Sequence, residues 1–300
     1  MEQYCVLYNP NAGNGHGREQ AETLAKRYPA ESLQFCDMTT ISSYEDFLDS
    51  LSADTRLVLT GGDGTLNRFI NDTKHLDVRQ DVYYYAAGSG NDFLRDLHKP
   101  KEGDPFCINE QLKDLPEVEV NGRRMLFING VGYGVDGYAC EEGDKRRTDP
   151  TQKINYAKYA LKGLLFAYRP TNAVMTVDGV TREYRHVWLA PTMWGEYCGG
   201  GVRLAPGQVR NNEENTVSVM VMHSRWRMLT WMIFPGIFKG NHVKHDKVVE
   251  VYRGHRVEVS FDRPTAVQVD GECVRDVLTY RVRSATALRQ DEELTQTATR

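Results

Sequence analysis

The first 120 residues alternate short apolar runs with segments whose apolar residues recur at helical spacing. This alternation of strand and helix signals is typical of a mainly parallel, doubly wound α/β sheet. Ligands of such sheets bind outside the carboxyl ends of the strands. The pattern predicts strands over residues 4–8, 33–36, 57–60 and 82–87, and helices over residues 18–28, 44–51, 66–72 and 93–97.

The pattern changes near Asn121-Gly122, after which most apolar runs are strand-like. We therefore predict an α/β domain over residues 1–121 and a mostly antiparallel β domain over residues 122–289, whose last strand could return to the first domain. The polar residues 290–300 are predicted to form a loose tail. In the second domain, strands are predicted over residues 125–129, 173–177, 186–191, 216–222, 248–252, 256–261, 266–269 and 278–282, and helices over 152–168 and 225–238.

Composition excludes several classes of protein. The 300-residue chain has 40% hydrophobic and 26% charged residues, as expected for a globular protein with a sizeable core. Its six cysteines include no C-x-x-C pair, which argues against a disulfide scaffold or a zinc site and favours a reducing compartment. The first residues lack a signal-peptide pattern. No apolar run reaches the about 20 residues of a membrane span, since Pro235 and Gly236 interrupt the longest one.

Charge is unevenly distributed between the two predicted domains. Residues 1–120 contain 11 basic and 21 acidic side chains, and the remaining residues contain 26 and 20. The acidic half does not suit nucleic acid, and the other half is too weakly basic to bind it by charge alone. The charges therefore indicate different partners for the two halves and predict no nucleic-acid partner.

Three glycine-rich turns follow predicted strands of the first domain: NPNAGNGHG at residues 9–17, GGDGTLN at 61–67 and GSGNDF at 88–93. Glycine lets the backbone approach a ligand closely, and free N–H groups at a helix start favour an anion. GGDGT adds Asp63, and Mg²⁺ commonly takes one or two protein carboxylates together with phosphates. Taken alone, each turn is also compatible with a plain connection or, at Asn91-Asp92, a helix N-cap.

A fourth motif, VDGE at residues 269–272, lies in the second domain. Asp-Gly is a common hairpin turn, so the motif alone indicates little. The carboxylates of Asp270 and Glu272 could also supply a general base if burial or a neighbour raises one pKa toward the working pH.

The motifs NPNAGNG, GGDGT, GSGNDFLRDL, NGVGYGVDGYA, GGGVRLAP and VDGE occur in one order between residues 9 and 272. In this order the chain resembles the diacylglycerol kinase/sphingosine kinase family of lipid kinases, in its bacterial soluble form. GGDGT is shared with NAD kinases and resembles a phosphofructokinase loop. GSGND with the following Phe and Arg is more specific to the lipid-kinase branch.

The resemblance implies an NAD kinase-like α/β domain, a C-terminal β-sandwich, and an active site in the cleft between them. It implies ATP and Mg²⁺ as cofactors and a lipid alcohol such as diacylglycerol as substrate. Asp63 and Asp92 would hold magnesium, partly through water. Glu272 would be the general base, with Asp270 beside it and Asp63 as a rival base. The implied nucleotide-binding residues are Asn9, Gly13, Thr40, Gly61, Gly62, Asp63, Gly64, Thr65, Leu66, Asn67, Ser89 and Asn91.

The chain departs from the family pattern after the Ala205-Pro206 motif. Bacterial members commonly carry an Asp-Gly pair there, and its aspartate holds a structural metal. Here the motif is followed by GQVRNNEENTV, in which Glu214 lies nearest to that position. Glu214 is therefore the candidate ligand of such a metal, in a loop that contains an insertion.

Two segments are candidates for transient membrane contact by a cytoplasmic protein at the inner face of the membrane. Residues 144–169 contain seven basic and two acidic residues with apolar ones at helical spacing, which suits an anionic bilayer, although the apolar side could pack on its own domain instead. Residues 225–240 are rich in aromatic residues and would form either the core or the wall of an acyl-chain pocket. We predict the core for most of its large apolar residues, which are Trp226, Trp231, Ile233, Phe234, Ile237 and Phe238.

The sequence does not fix the oligomeric state, and a homodimer is one possibility. Two other functions share part of the motif pattern. An NAD kinase-like phosphotransferase would share the fold and GGDGT but use a soluble acceptor, and the GSGNDF loop argues against it. A nucleotide-binding regulatory protein without catalysis would not need Asp63, Asp92 and Glu272 together.

Overall fold

The computed structural model describes residues 2–88, 90–101, 103–146 and 156–298. The described residues form two compact units, one ending at Lys113 and one beginning at Asp114. The second unit thus begins before the boundary predicted at residue 121. A division at residue 121 would separate two paired strands, because Glu117–Val120 pairs with Arg123–Leu126.

The first unit contains a five-stranded sheet of β1 (Tyr4–Tyr8), β2 (Leu33–Asp37), β3 (Arg56–Gly61), β4 (Val82–Ala86) and β5 (Phe106–Cys107). The strand order is β2-β1-β3-β4-β5, with β1 to β4 parallel and β5 antiparallel at the edge. Leu7 of β1 lies opposite Leu59 of β3, and both are fully buried. The α/β class and all four predicted strands are confirmed.

Short helices connect these strands: α1 (Ala12–Gly15), α2 (Gly17–Glu22), α3 (Tyr44–Asp49), α4 (Asp63–Asp72), α5 (Asp92–Asp96) and α6 (Asn109–Leu112), with 3-10 turns over Thr23–Lys26 and Ala30–Ser32. The helix predicted over residues 18–28 is therefore shorter and ends in a 3-10 turn. The helix predicted from residue 66 begins earlier, at Asp63. The GGDGT aspartate therefore lies in the first turn of α4.

The second unit is built on an antiparallel sheet whose strands are β6 (Glu117–Val120), β7 (Arg123–Leu126), β8 (Gly130–Tyr133), β9 (Thr171–Val177), β10 (Val180–Leu189), β11 (Thr192–Met193), β14 (Val217–His223), β15 (Val249–Gly254), β16 (Arg256–Val269) and β17 (Glu272–Arg283), while β12 (Tyr197–Cys198) and β13 (Val202–Arg203) form a separate pair. The first part of β16 pairs with β9 and the last part with β8, so the sheet closes on itself. The strands predicted over residues 256–261 and 266–269 are thus one strand. The mostly antiparallel class predicted for this half is confirmed.

The helices of the second unit are α7 (Val135–Lys145), α8 (Tyr156–Lys162), α9 (Arg227–Ile233) and α10 (Ala285–Ala298), with a π turn over Gly163–Ala167 and 3-10 turns over Phe234–Lys239 and Asn241–Lys244. The sequence pattern did not predict α7. Residues 152–155 of the predicted helix 152–168 lie outside the described residues. In the described ranges, no helix has both the length and the apolarity needed to traverse a bilayer.

The prediction of a loose tail over residues 290–300 is wrong for its described part. α10 continues to Ala298, and both carboxylate oxygens of Asp291 accept hydrogen bonds from Arg256, at 3.0 and 2.8 Å. Arg283 lies 3.5 Å from the same carboxylate. Opposite charges therefore attach a mostly polar helix to the sheet. The last strand, β17, pairs with β16 and with β6 of the second sheet.

Candidate functional site

The strand order of the first sheet gathers the predicted nucleotide-binding turns at one edge. β1 lies between β2 and β3, and β4 lies beside β3. Because these four strands are parallel, the segments after them leave the same edge. These segments contain Asn9 after β1, Thr40 after β2, the GGDGT turn after β3, and Asn91 after β4.

The turns after β3 and β4 are locked together. A Cβ added at Gly88 would lie 2.3 Å from the Cα of Gly62, so Gly88 has no room for a side chain, and a Cβ at Gly62 would lie a tight 3.1 Å from the Cα of Gly88. The Asp63 carboxylate accepts hydrogen bonds from the backbone N–H groups of Asp92, at 2.8 Å, and Phe93, at 3.1 Å. Asp63 therefore caps the start of α5 from a different turn, a structural role that the sequence did not reveal.

Gly64 is the glycine of GGDGT that internal packing does not explain. A Cβ at Gly61 would lie 2.2 Å from Oγ1 of Thr65, whereas a Cβ at Gly64 would meet no atom of the described chain within 4 Å. Gly64 is exposed in the first turn of α4, and glycine generally weakens a helix relative to alanine. The space above Gly64 is therefore free for the close approach of a ligand to the backbone.

The residues after Gly64 turn into the protein. Thr65, Leu66 and Asn67 are all buried, and Leu66 is completely so. The N–H of Leu66 donates to the carbonyl of Gly62 at 3.2 Å, and Asn67 Oδ1 accepts from Asn71 at 3.3 Å. The side chain of Leu66 therefore belongs to the core.

The fold explains most of the glycine content of the first turn. Gly13 has a φ of +59°, in the left-handed region that favours glycine. A Cβ at Gly17 would lie 1.9 Å from the carbonyl oxygen of Asn9. The Asn9 side chain accepts the N–H of Asn11 at 3.0 Å. Thr40 is exposed in an open groove beside β2 and donates to the carbonyl of Asp37 at 2.8 Å.

Asp63 and Asp92 differ in how they could serve a magnesium ion. Asp63 accepts two N–H groups, and an ionised carboxylate has about four acceptor positions, so capacity remains for a cation or its water. Asp92 is buried, with its carboxylate 3.9 Å from the Arg95 guanidinium. Asn91 has a φ of +50°, and its buried Oδ1 has no hydrogen-bond partner within the described residues. These oxygen donors fit magnesium that is held largely by water and phosphate. Ser89 lies outside the described residues.

The VDGE motif forms the tight hairpin between β16 and β17. Asp270 and Gly271 have φ values of +46° and +92°, as a two-residue hairpin turn requires. The buried Asp270 carboxylate accepts the N–H groups of Ile128, Asn129 and Gly130 at 2.6, 2.8 and 2.9 Å. A carboxylate that accepts three backbone N–H groups stabilises its anion and makes a poor proton acceptor. We therefore read Asp270 as an anchor of the hairpin.

Glu272 has the opposite surroundings. It opens β17 and is exposed, in contrast to the buried Asp270 two residues earlier. The turn before it is held by two further bonds, since Gln268 Oε1 accepts the N–H of Gly271 at 2.6 Å and the Cys140 thiol donates to the Gly271 carbonyl at 3.2 Å. The hairpin therefore presents the Glu272 carboxylate from a fixed turn.

Asp136 is a carboxylate that the sequence analysis missed. It lies in the first turn of α7, and Gln268 Nε2 donates to it at 2.9 Å. Burial raises the pKa of Asp136, and this hydrogen bond partly opposes the effect. The segments at residues 61–64 and 134–137 both read G-x-D-G and both follow a strand. This repeated motif was the sequence signal that could have identified Asp136. Gln268 thus links Asp136 to the turn before Glu272.

A metal site at Glu214, in the loop after Ala205-Pro206, stays a prediction. Glu214 is exposed, and the described residues place no group of three or more His, Cys, Asp or Glu ligands around it. The loop contains the buried Arg210, which the sequence analysis did not single out. Its guanidinium donates to the carbonyl of Ile128 and, at 2.6 Å, to Oδ1 of Asn129. A protein cation thus holds the segment whose N–H groups Asp270 accepts.

Two models of known protein families match the chain. The model of the diacylglycerol kinase catalytic domain matches residues 3–120, and that of the YegS C-terminal NAD kinase beta sandwich-like domain matches residues 129–286. The chain belongs to the diacylglycerol kinase/YegS family of lipid kinases. The resemblance drawn from the ordered motifs is thereby confirmed.

Relatives of this lipid-kinase family member have low sequence identity, but they align over most of both chains. The diacylglycerol kinase of Bacillus subtilis is 23% identical over 283 residues, which cover 91% of this chain and 90% of that protein. A solved structure of a diacylglycerol kinase from Bacillus anthracis superimposes with a TM-score of 0.57 at 18% identity, covering 94% of this chain and 93% of that one. This structural similarity shows a shared fold.

Proposed function

We propose that this member of the lipid-kinase family transfers the γ-phosphate of ATP, with Mg²⁺, to a hydroxyl group of diacylglycerol or a related lipid alcohol. The observation that carries the proposal is the pair of locked turns after β3 and β4, with open space above Gly64 and the Asp63 carboxylate beside it. The diacylglycerol kinase named among the relatives supports the choice of acceptor.

In this proposal the first unit binds and orients the triphosphate. Backbone N–H groups around Gly62 and Gly64 would face the phosphates, and the start of α4 contributes a positive dipole end. Asn9, Gly13 and Thr40 would border the nucleotide from the neighbouring turns. Bound magnesium would neutralise charge on the phosphates, and Asp63, Asn91 and Asp92 are the residues that would hold it, directly or through water.

Glu272 would act as the general base in the second unit. Its carboxylate is exposed and would accept the proton of the lipid hydroxyl as that oxygen attacks phosphorus. Asp270, Gln268 and Cys140 would act only by fixing the turn before it. Because Asp63 already accepts two N–H groups, it is the weaker candidate for the base.

An apolar surface on the second unit supports access to lipid. On α9, Met228, Trp231 and Met232 lie on one helical face and are 71%, 46% and 60% exposed, whereas Thr230 and Ile233 on the opposite face are buried. The prediction of a core position is wrong for Trp226, Trp231 and Phe238, which are exposed, and is confirmed for the buried Ile233 and Ile237. Large exposed apolar patches are rare on soluble surfaces and mark interaction sites. We call the exposed apolar residues of this region the α9 surface: Leu161, Phe166, Trp226, Met228, Trp231, Met232 and Phe238.

The composition of the α9 surface suits a bilayer interface. Tryptophan favours the level of the lipid headgroups, and the exposed Arg225 and Lys239 flank the surface with positive charge. The side chain of Arg227 joins α9 to the π turn through the carbonyls of Gly163 and Leu164, at 3.2 and 2.7 Å. Two neighbouring elements thus present apolar residues together. We propose that this surface associates peripherally with the inner, cytoplasmic face of the membrane.

Binding to lipid vesicles tests this docking surface. The double variant Trp226→Ser/Trp231→Ser should lose at least about tenfold in affinity for vesicles with anionic lipid, since two large aromatic side chains no longer insert. Leu294→Ser, which removes an equally exposed apolar side chain from α10, is the matched control. Equal binding by the double variant and the wild type would contradict this role of the α9 surface.

The function itself is tested by ATP consumption with Mg²⁺ in mixed micelles, with and without diacylglycerol. We expect turnover that depends on the lipid. Stimulation by NAD and not by lipid would favour a soluble acceptor, as in NAD kinases. ATP binding without turnover on any acceptor would favour a regulatory protein and contradict the proposal.

A further inference from the structure

Two cysteines and one aspartate come together behind the VDGE hairpin. Cys140 and Asp144 lie one turn apart on α7, and Cys273 is the second residue of β17. Their two sulfur atoms and one carboxylate oxygen all lie within 4.8 Å of one another. It is the one group of at least three His, Cys, Asp or Glu ligands with this spacing in the described ranges.

The spacing and chemistry of this group suit zinc. Zn²⁺ binds thiolate sulfur at about 2.3 Å and carboxylate oxygen at about 2.0–2.2 Å in a tetrahedron, so neighbouring ligand atoms lie roughly 3.5 Å apart. A side-chain adjustment of about 1 Å therefore closes the group around an ion. Thiolates select soft ions and discriminate against magnesium. Cys140 is buried, while Cys273 and Asp144 are half-buried, so an ion could enter from the solvent side.

We propose that Cys140, Asp144 and Cys273 form a three-ligand zinc site whose fourth position is taken by water. On binding, each thiol releases its proton to solvent and two zinc–sulfur bonds form. The scattered cysteine spacing, which argued against a zinc site, conceals it because the ligands come from a helix and a strand that are distant in the sequence. Bound zinc would join α7 directly to β17.

The site is coupled to the turn before Glu272. Cys140 donates its thiol hydrogen to the carbonyl of Gly271 at 3.2 Å, and Cys273 directly follows Glu272. Binding of zinc removes the thiol hydrogen and therefore this bond, so the ion would shift the restraints on the hairpin. An effect on catalysis rests on the function proposed above, whereas zinc binding itself does not.

Cobalt binding by the full-length, reduced protein tests the site in excess magnesium and without nucleotide or lipid. A thiolate-bound Co²⁺ ion gives an intense charge-transfer absorption that Zn²⁺ displaces. We expect one such ion per chain in the wild type. Cys273→Ser should abolish the absorption, and Asp144→Asn should weaken the affinity at least about tenfold while the absorption persists.

Two cysteine variants serve as controls. Cys36→Ser removes one thiol of the Cys5–Cys36 pair, whose sulfur atoms are 3.5 Å apart, and Cys107→Ser removes an exposed thiol. Both should bind cobalt as the wild type does. Absence of the absorption in the wild type, its persistence in Cys273→Ser, or its loss in Cys36→Ser would overturn the site. Since no step requires kinase activity, these results are independent of the proposed function.

Discussion

At the scale of single residues, glycine and aspartate in the motifs divide into those that the fold requires and those that it leaves available. Gly88 is required by contact with Gly62, and Asp270 by three backbone N–H groups. Gly64 and Glu272 face open space. The sequence motifs identified all of these positions. They could not distinguish the residues that the fold requires from those available to a ligand, because the partners of the required residues are distant in sequence.

Gly64→Ala separates ligand binding from stability. The new methyl group meets no atom of the described chain, so the free energy of unfolding should stay the same or rise by up to about 1 kcal/mol through helix propensity. Lipid-dependent turnover should fall by at least about tenfold, because the methyl group occupies the space assigned to phosphate. Gly103→Ala, at a position with only ordinary contacts, is the control. Wild-type turnover in Gly64→Ala would contradict the assignment.

Asp270→Asn should lower stability, whereas Glu272→Gln should lower turnover. Asp270→Asn leaves buried N–H groups without an anionic acceptor, and we expect the free energy of unfolding to fall by about 2 kcal/mol or more. Glu272→Gln should leave stability unchanged and lower turnover at least about tenfold. Denaturant unfolding and a lipid kinase assay measure both quantities. A stable but inactive Asp270→Asn would assign the base to Asp270 instead.

At the scale of elements, local signals predicted the strands of the first sheet and the class of the second. The strand signals at residues 256–261 and 266–269 could not show that β16 is continuous, since its continuity depends on pairing with β9 and β8. The helix α7 was not predicted, because its motif resembles a glycine-rich loop. α10 escaped because charge pairing, rather than an apolar stripe, attaches it to the sheet.

Asp291→Asn tests the attachment of α10. Hydrogen bonds from Arg256 hold the pKa of Asp291 below its ordinary value of 3.8, and nearby Arg283 contributes in the same direction. The stabilisation is therefore present above that value and lost as the pH falls through the lower, folded pKa. The pair is partly exposed, so the loss at neutral pH should stay below about 1 kcal/mol. Hydrogen exchange in α10 should become faster than in Glu293→Gln, and unchanged exchange would contradict this attachment.

Arg210 should make the loop after Ala205-Pro206 independent of metal. Treatment with EDTA should leave the midpoint of thermal unfolding unchanged in protein freed of zinc. Arg210→Met should lower the free energy of unfolding by about 2 kcal/mol or more, since the buried carbonyl of Ile128 loses its donor. Arg123→Met, at an exposed arginine of β7, is the control. A large drop in the midpoint with EDTA would instead indicate a structural metal.

At the scale of the whole molecule, the chain divides its work between two units of different charge. The acidic first half carries the locked turns proposed for the triphosphate, and the basic second half carries Glu272 and the α9 surface. The sequences of the motifs and their order along the chain were enough to predict the family. The exposure of the α9 surface could not be predicted, because a run of tryptophan, methionine and phenylalanine reads as core until its partners are known.

Formation of a phosphorylated lipid tests the central claim most directly. Wild-type protein, ATP, Mg²⁺ and diacylglycerol in mixed micelles are incubated, and the lipid fraction is analysed by mass spectrometry beside Gly64→Ala and Glu272→Gln. The account predicts a product heavier by one phosphoryl group with the wild type, and at least about tenfold less with either variant. No phosphorylated lipid from the wild type with any lipid alcohol, or equal yields from all three proteins, would contradict it.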